Sequence, residues 1–308
     1  MVSSTPRQQS VTVNGVELCY FEWGRPGPEG SLLLTHATGF HGRCWDQVIA
    51  ALPEAWRQRH IVAWDQRGHG RSSKVPPYNW GSCGEDLVAF VEALDLNLAC
   101  AAGHSMGGHL LVLAAAELPR RFQRLVLIDP VIMAPDMPRS AQAASAEDHP
   151  VARRRNSWQD WRAMYDRFSD RDPYRLWDPA VLEDYCRFGV VAAGDGAEAP
   201  FELACPPLVE ASFYSQGPMS SDVHQRIPQI AQPVLVVRAR LGDGPRTGMD
   251  FSRSPTWPAL ADAFTQGKDL HLAGLTHFIP MQAPAVTAEL IALGAPGPRT
   301  QALLADEV

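Results

Sequence analysis

The chain has 308 residues, 45% of them hydrophobic and 20% charged, a balance that supports a full buried core and fits a soluble globular enzyme. Its formal net charge of -7 disfavours nucleic acid and anionic membranes as partners, and the one basic run, Arg153-Arg154-Arg155, reads as a solvated helix face. The six cysteines show no Cys-x-x-Cys and no disulfide-like spacing, no apolar run approaches the ~20 residues of a spanning helix, and the N-terminus lacks a signal core, so free thiols and a cytoplasmic location are expected.

In chain order, Val11 to Tyr20 alternates with period two around Asn14-Gly15, a strong hairpin signal. Ser31 to Thr35 reads as a buried strand that ends in the small-residue turn His36-Ala37-Thr38-Gly39-Phe40. A helix is predicted over 45–53, a strand over 61–65, a helix over 84–95, a strand over 98–103, a helix over 106–117 and a strand from Leu125 to Ile128. This alternation predicts an α/β protein with a mainly parallel, doubly wound sheet, helices on both faces and an antiparallel hairpin at the start. His36, Asp65, Ser105, Asp129 and His277 all follow strands, and the carboxyl ends of such strands form one edge, where active sites lie.

From 131 to 231 the alternation stops and helical, aromatic-rich sequence takes over, with helical segments near 150–168 and 179–191. Packing of a small helical unit accounts for most of its aromatic residues. Residues 192–197 read as a loop able to gate a site. A strand follows Pro233, a further strand around Leu270 to Leu272 leads to Gly274, His277 and Pro280, and 294–308, with Pro296 and Pro298, reads as a loosely held tail.

The most informative segment is Gly103-His104-Ser105-Met106-Gly107, where a small, apolar strand runs into an apolar helix. A serine hydroxyl is a poor nucleophile, so it must be lifted clear of the backbone and set beside a base, which a sharp strand-to-helix turn achieves. With the His-Ala-x-Gly turn at His36, the loop Asp65-Gln66-Arg67-Gly68-His69-Gly70-Arg71-Ser72 and the late Gly274-x-x-His277, in that order, the chain resembles the α/β-hydrolase superfamily along nearly its whole length.

That resemblance implies an α/β-hydrolase fold with a core of 1–130 and 232–293 and an inserted helical cap at 131–231. It assigns Ser105 as nucleophile and His277 as general base, with the Met106 and Thr38 N–H groups as oxyanion donors. Two aspartates compete as the triad acid: Asp129, favoured, and Asp243, with Asp250 a distant third. Cap aromatics, Trp158, Trp161 and Trp177 among them, are expected to line the substrate pocket. His104 and His109 are read as structural, and Asp65 as a backbone ligand. The histidines show no metal-ligand spacing, so neither metal nor other cofactor is expected. The implied function is a serine hydrolase cleaving a small or medium carboxylic ester through an acyl-enzyme. Lactone or carbon–carbon bond hydrolysis by the same triad is the alternative, and a non-catalytic ligand-binding or receptor protein is the alternative of another class. Dehalogenase and epoxide hydrolase chemistry need an aspartate where Ser105 stands.

Overall fold

A computed structural model describes residues 5–136, 145–194, 199–216, 222–242 and 250–305; Asp243 and part of the 192–197 loop lie outside them. The hairpin forms from Arg7–Val13 (β1) and Val16–Trp23 (β2), with Val13 opposite Val16. Its two-residue turn holds Asn14 at φ 50° and Gly15 at φ 73°, the left-handed pair that makes Asn-Gly a turn signal. Ser31–Thr35 (β3), Ile61–Trp64 (β4), Leu98–His104 (β5) and Leu125–Ile128 (β6) follow. The insertion then contributes Ser157–Trp158 (β7), Val190–Ala192 (β8) and Phe201–Leu203 (β9), and the chain returns with Val234–Ala239 (β10) and Gly267–Leu272 (β11).

The main sheet has eight strands in the order β1-β2-β4-β3-β5-β6-β10-β11. From β4 to β11 all neighbours pair in parallel, and only β1 with β2 and β2 with β4 are antiparallel. Because side chains alternate across a strand, each central strand feeds both faces. Leu33, Leu127 and Val236 pack with the helices Trp80–Ala93 and Met106–Glu117. Leu34, Val126, Ile128 and Val237 pack with Asp46–Ala51 and Pro284–Leu293 on the other face. Both faces are covered, so β3, β4, β6 and β10 are buried throughout and appear in the sequence as continuous apolar runs. The helix predicted at 84–95 begins at Trp80, where the Asn79 side chain accepts from the Ser82 N–H at 2.9 Å. Gly81, Ser82 and Gly84 leave its first turn without apolar periodicity, so the cap marks the start.

The insertion contains the helices Trp161–Phe168 and Pro179–Phe188, whose N-caps Asp160 and Asp178 accept from Ala163 and Ala180 at 2.8 Å, and the helix Pro207–Gln216. It is not wholly helical: β7, β9 and β8 form a small antiparallel sheet. The expected loose tail is also corrected. Pro298–Ala305 is a helix, and the Glu289 carboxylate accepts from the N–H groups of Gly297, Arg299 and Thr300 and from the Thr300 hydroxyl. Those are the orphan donors of a helix start, satisfied by a neighbouring helix, and Pro298 sits where its missing N–H costs nothing.

Burial has a pH consequence. It holds His41, His69 and His104 down to about 3 and His109 to about 4, whereas an unfolded histidine binds its proton near ~6.5. Between these values the unfolded chain binds more protons, so stability is full above ~6.5 and falls as pH drops, at roughly 1.4 kcal/mol per pH unit for each histidine. Asp184, pushed up to about 6 by burial, works in the opposite direction, as do Asp46, Asp65 and Glu210, which burial also pushes up. Urea unfolding is expected to show a loss of stability from pH 7 to 5, with net proton uptake on unfolding at pH 5.5. A stability unchanged over that range would contradict the neutral, buried imidazoles.

Candidate active site

The strand β5 passes into the helix Met106–Glu117 through Ser105, whose backbone is strained at φ 57°, ψ -118°. The turn closes only without side chains around it. A Cβ on Gly107 would stand 2.3 Å from the Thr35 carbonyl oxygen, and one on Gly103 2.5 Å from Thr35 Oγ1.

Three of the residues singled out in the sequence meet here. Ser105 Oγ lies 3.0 Å from His277 Nε2, and His277 Nδ1 lies 2.6 Å from Asp129 Oδ2. A carboxylate can only accept, so Nδ1 carries the proton and Nε2 is left to accept from the serine hydroxyl. Asp129 follows β6 with φ 43°, and its second oxygen, Oδ1, accepts from Ala239 N at 3.0 Å and Ser254 Oγ at 2.5 Å, while the Thr256 hydroxyl, 3.2 Å away, donates to the Pro130 carbonyl at 2.7 Å. Asp250 binds the backbone and hydroxyl of Ser252 through Oδ1 and Arg253 through Oδ2; Asp243 lies outside the described residues. The His277 backbone is held from two sides: its carbonyl lies 2.8 Å from His104 Nε2 and its N–H donates to Phe251 at 3.2 Å. The Phe251 ring stacks on the imidazole with 5.9 Å between centroids.

Met106 is the first residue of its helix, so its N–H has no intrahelical partner. Thr38 approaches it, with Oγ1 3.3 Å from Met106 Sδ, and neither N–H is hydrogen-bonded among the described residues. The turn that carries Thr38 is fixed by His36, whose Nδ1 donates to the Ala37 carbonyl at 2.8 Å and whose Nε2 accepts from Gln66 N at 3.0 Å. Asp65 braces the next loop by accepting from Gly42 N and Arg71 N at 2.7 Å each. His109 ties Nδ1 to the Val131 carbonyl. Among the described residues no group of three or more His, Cys, Asp or Glu could hold a metal ion, and no helix is long and apolar enough to cross a membrane.

Ser105 and His277 open on a cavity of about 180 Å³ walled by Phe40, Trp177, Phe251 and Phe278. Trp177 therefore lines the cavity on which Ser105 opens. Trp158 and Trp161 do not, which corrects their expected role. Trp158 is buried inside the insertion, edge-on to Phe168 and beneath Arg155, and Trp161 is half-buried beside Arg162. Aromatic content marks a packed unit without saying which ring faces inward. Trp158→Ala is expected to cost about 3–5 kcal/mol of stability, as a large void in a core does, while Trp177→Ala shifts the ratio of kcat/KM between bulky and tiny substrates. Denaturant unfolding and paired kinetics check both; equal shifts in that ratio for the two variants would contradict the assignment.

Sequence reasoning missed several groups at this site. Arg154, read as part of a solvated face, lines the cavity with Glu210, Tyr174, Tyr185 and Tyr214. The short helical turn Pro150–Arg153 ends just before it, and Arg154 turns inward. The signal for Glu210 was present, because it is an acid among Val209, Ala211 and Phe213, all buried on one helix. Ser254 and Thr256 carried no signal, since only the fold brings them to Asp129.

A model of the alpha/beta hydrolase family matches residues 32–290. The chain is 33% identical over 128 residues to N-formylmaleamate deformylase of Pseudomonas putida, covering 41% of this chain and 46% of that one, so it spans just under half of that relative's length. It is 25% identical over 240 residues to 3-oxoadipate enol-lactonase 2 of Acinetobacter baylyi, covering 75% of this chain and 78% of that one. The crystal structure of E-2-(acetamidomethylene)succinate hydrolase superposes with a TM-score of 0.70 at 19% identity, over 93% of this chain and 97% of that one, a likeness of fold.

Proposed function

The chain belongs to the alpha/beta hydrolase family, and from that premise we propose that it is a cofactor-free serine hydrolase that cleaves small or medium carboxylic esters through an acyl-enzyme. The observation that carries the reading is the continuous relay of Ser105 Oγ, His277 and Asp129 at 3.0 and 2.6 Å. In the reaction, His277 Nε2 takes the Ser105 proton as Oγ attacks the ester carbonyl. The resulting oxyanion is met by the Met106 and Thr38 N–H groups, and His277 then gives the proton to the leaving alkoxide. Water repeats the sequence on the acyl-enzyme and frees the acid. Asp129 keeps the imidazole in the tautomer this requires and stabilises the imidazolium.

A small or medium substrate is supported by the cavity, whose volume of about 180 Å³ falls below the ~300–1,000 Å³ of pockets for drug-sized ligands. The similarity to an enol-lactonase favours a cyclic ester as the second reading, since a lactone meets the same attack. All six cysteines are free and buried, which supports a reducing, cytoplasmic setting. A fluorophosphonate probe is expected to label the native protein at Ser105, and a panel of p-nitrophenyl esters and lactones to rank the substrates. No labelling and no turnover across the panel would overturn the enzyme reading in favour of a binding protein on this fold.

A further inference from the structure

The cavity over Ser105 is apolar along most of its wall yet ends on polar groups that acyl transfer does not use. Arg154 Nη1 donates to Glu210 Oε2 at 2.5 Å and Nη2 to the Tyr185 hydroxyl at 3.3 Å. A guanidinium has five N–H donors, so Arg154 keeps donors beyond these two bonds. Its side chain retains 26% of its surface accessible, against 6% for Glu210, and it borders the cavity. The carboxylate lies against the turn that carries an oxyanion donor, because a Cβ on Gly39, next to Thr38, would stand 2.6 Å from Glu210 Oε1. The polar end therefore borders the same cavity as Ser105 and adjoins the turn that carries Thr38. Burial pushes the Glu210 carboxyl up, and Arg154 opposes that push.

An ion pair set this deep gives little net stability, since desolvation offsets the attraction. Its value to the site is chemical: one fixed positive and one fixed negative group side by side, with tyrosine hydroxyls around them. A substrate carboxylate entering here meets Glu210, and an ammonium meets Arg154. Only a neutral group that accepts from one and donates to the other satisfies both without leaving a buried charge unbalanced.

We propose that the Arg154–Glu210 end of the cavity binds an uncharged head group that both donates and accepts hydrogen bonds, a primary carboxamide on the acyl part of the ester. This rests on the serine hydrolase reading for the direction of the substrate, but its test does not need turnover. In the Ser105→Ala protein, which cannot form an acyl-enzyme, binding of methyl succinamate and monomethyl succinate is compared by calorimetry at pH 7.5. The two ligands differ only in carrying an amide or a carboxylate. The amide is expected to bind at least ~10-fold tighter, and adding Glu210→Gln, which leaves the Arg154 charge uncancelled, to reverse the preference by at least ~10-fold. Equal or tighter binding of the carboxylate, no binding of either, or a ratio unmoved by Glu210→Gln would overturn the proposal. Should Glu210→Gln unfold the protein, the double change Arg154→Met and Glu210→Met removes both charges together, a replacement cores often accept. It is expected to transfer preference from methyl succinamate to methyl pentanoate, and retention of the amide preference would equally refute the proposal. Fluorophosphonate labelling of the native protein tests the serine reading separately, so the two can fail independently.

Discussion

Asp129→Asn is expected to lower kcat by up to ~10⁴ while the protein stays folded. The size follows from which way the new amide must face. Oδ1 of Asp129 accepts from two donors, Ala239 N and Ser254 Oγ, so an asparagine must place its oxygen there. Its NH₂ group then points at His277 Nδ1, which can only respond by giving up its proton. The imidazole shifts to the tautomer with hydrogen on Nε2, facing Ser105, and can no longer accept the serine proton. Steady-state kinetics with a p-nitrophenyl ester, alongside circular dichroism and urea unfolding, measure the effect. Near-native turnover for Asp129→Asn together with an inactive Asp243→Asn would place the acid beyond β10 instead.

Ser105→Ala is expected to lose at least ~10³-fold in turnover and all fluorophosphonate labelling, because only binding and oxyanion stabilisation remain. Folding should be unaffected. The change removes one oxygen from a residue whose backbone position is set by its surroundings, with Ser105 N donating to the Ile128 carbonyl at 3.0 Å and its own carbonyl accepting from His109 and Val131. Ester hydrolysis at the native rate in this variant would remove Ser105 from the chemistry.

The elements legible in the sequence were those whose physics is local. Asn14-Gly15 announced its hairpin because two successive positive φ values suit few other pairs. The strands β3 to β6 were readable because burial on both faces leaves uninterrupted apolar runs. Ser105 and His277 stood in motifs whose glycines mark sharp turns. The strands β7, β8 and β9, two or three residues each, are too short to show any period. The inward turn of Arg154 and the burial of Trp158 depend on which face of the insertion meets the core, which composition does not encode. The donors gathered on Asp129 come from β10 and from the segment around Ser254, and no local pattern foretells a convergence made by tertiary structure.

The position of Asp129 has a mechanical consequence. Nucleophile and acid stand one residue beyond His104 and Ile128, which are register partners on the adjacent strands β5 and β6. Their separation is thus fixed by the ladder spacing of the sheet, ~4.8 Å between strands, and cannot drift unless backbone hydrogen bonds break. His277 arrives on the loop after β11, at the far edge of the sheet. Two parts of the relay are fastened to adjacent strands, and the third rides on a loop that is tied back through its backbone to His104 on β5 and to Phe251. Loss of the two backbone ties of His277, to His104 and to Phe251, would displace the imidazole and lengthen its contacts to the serine and the carboxylate together.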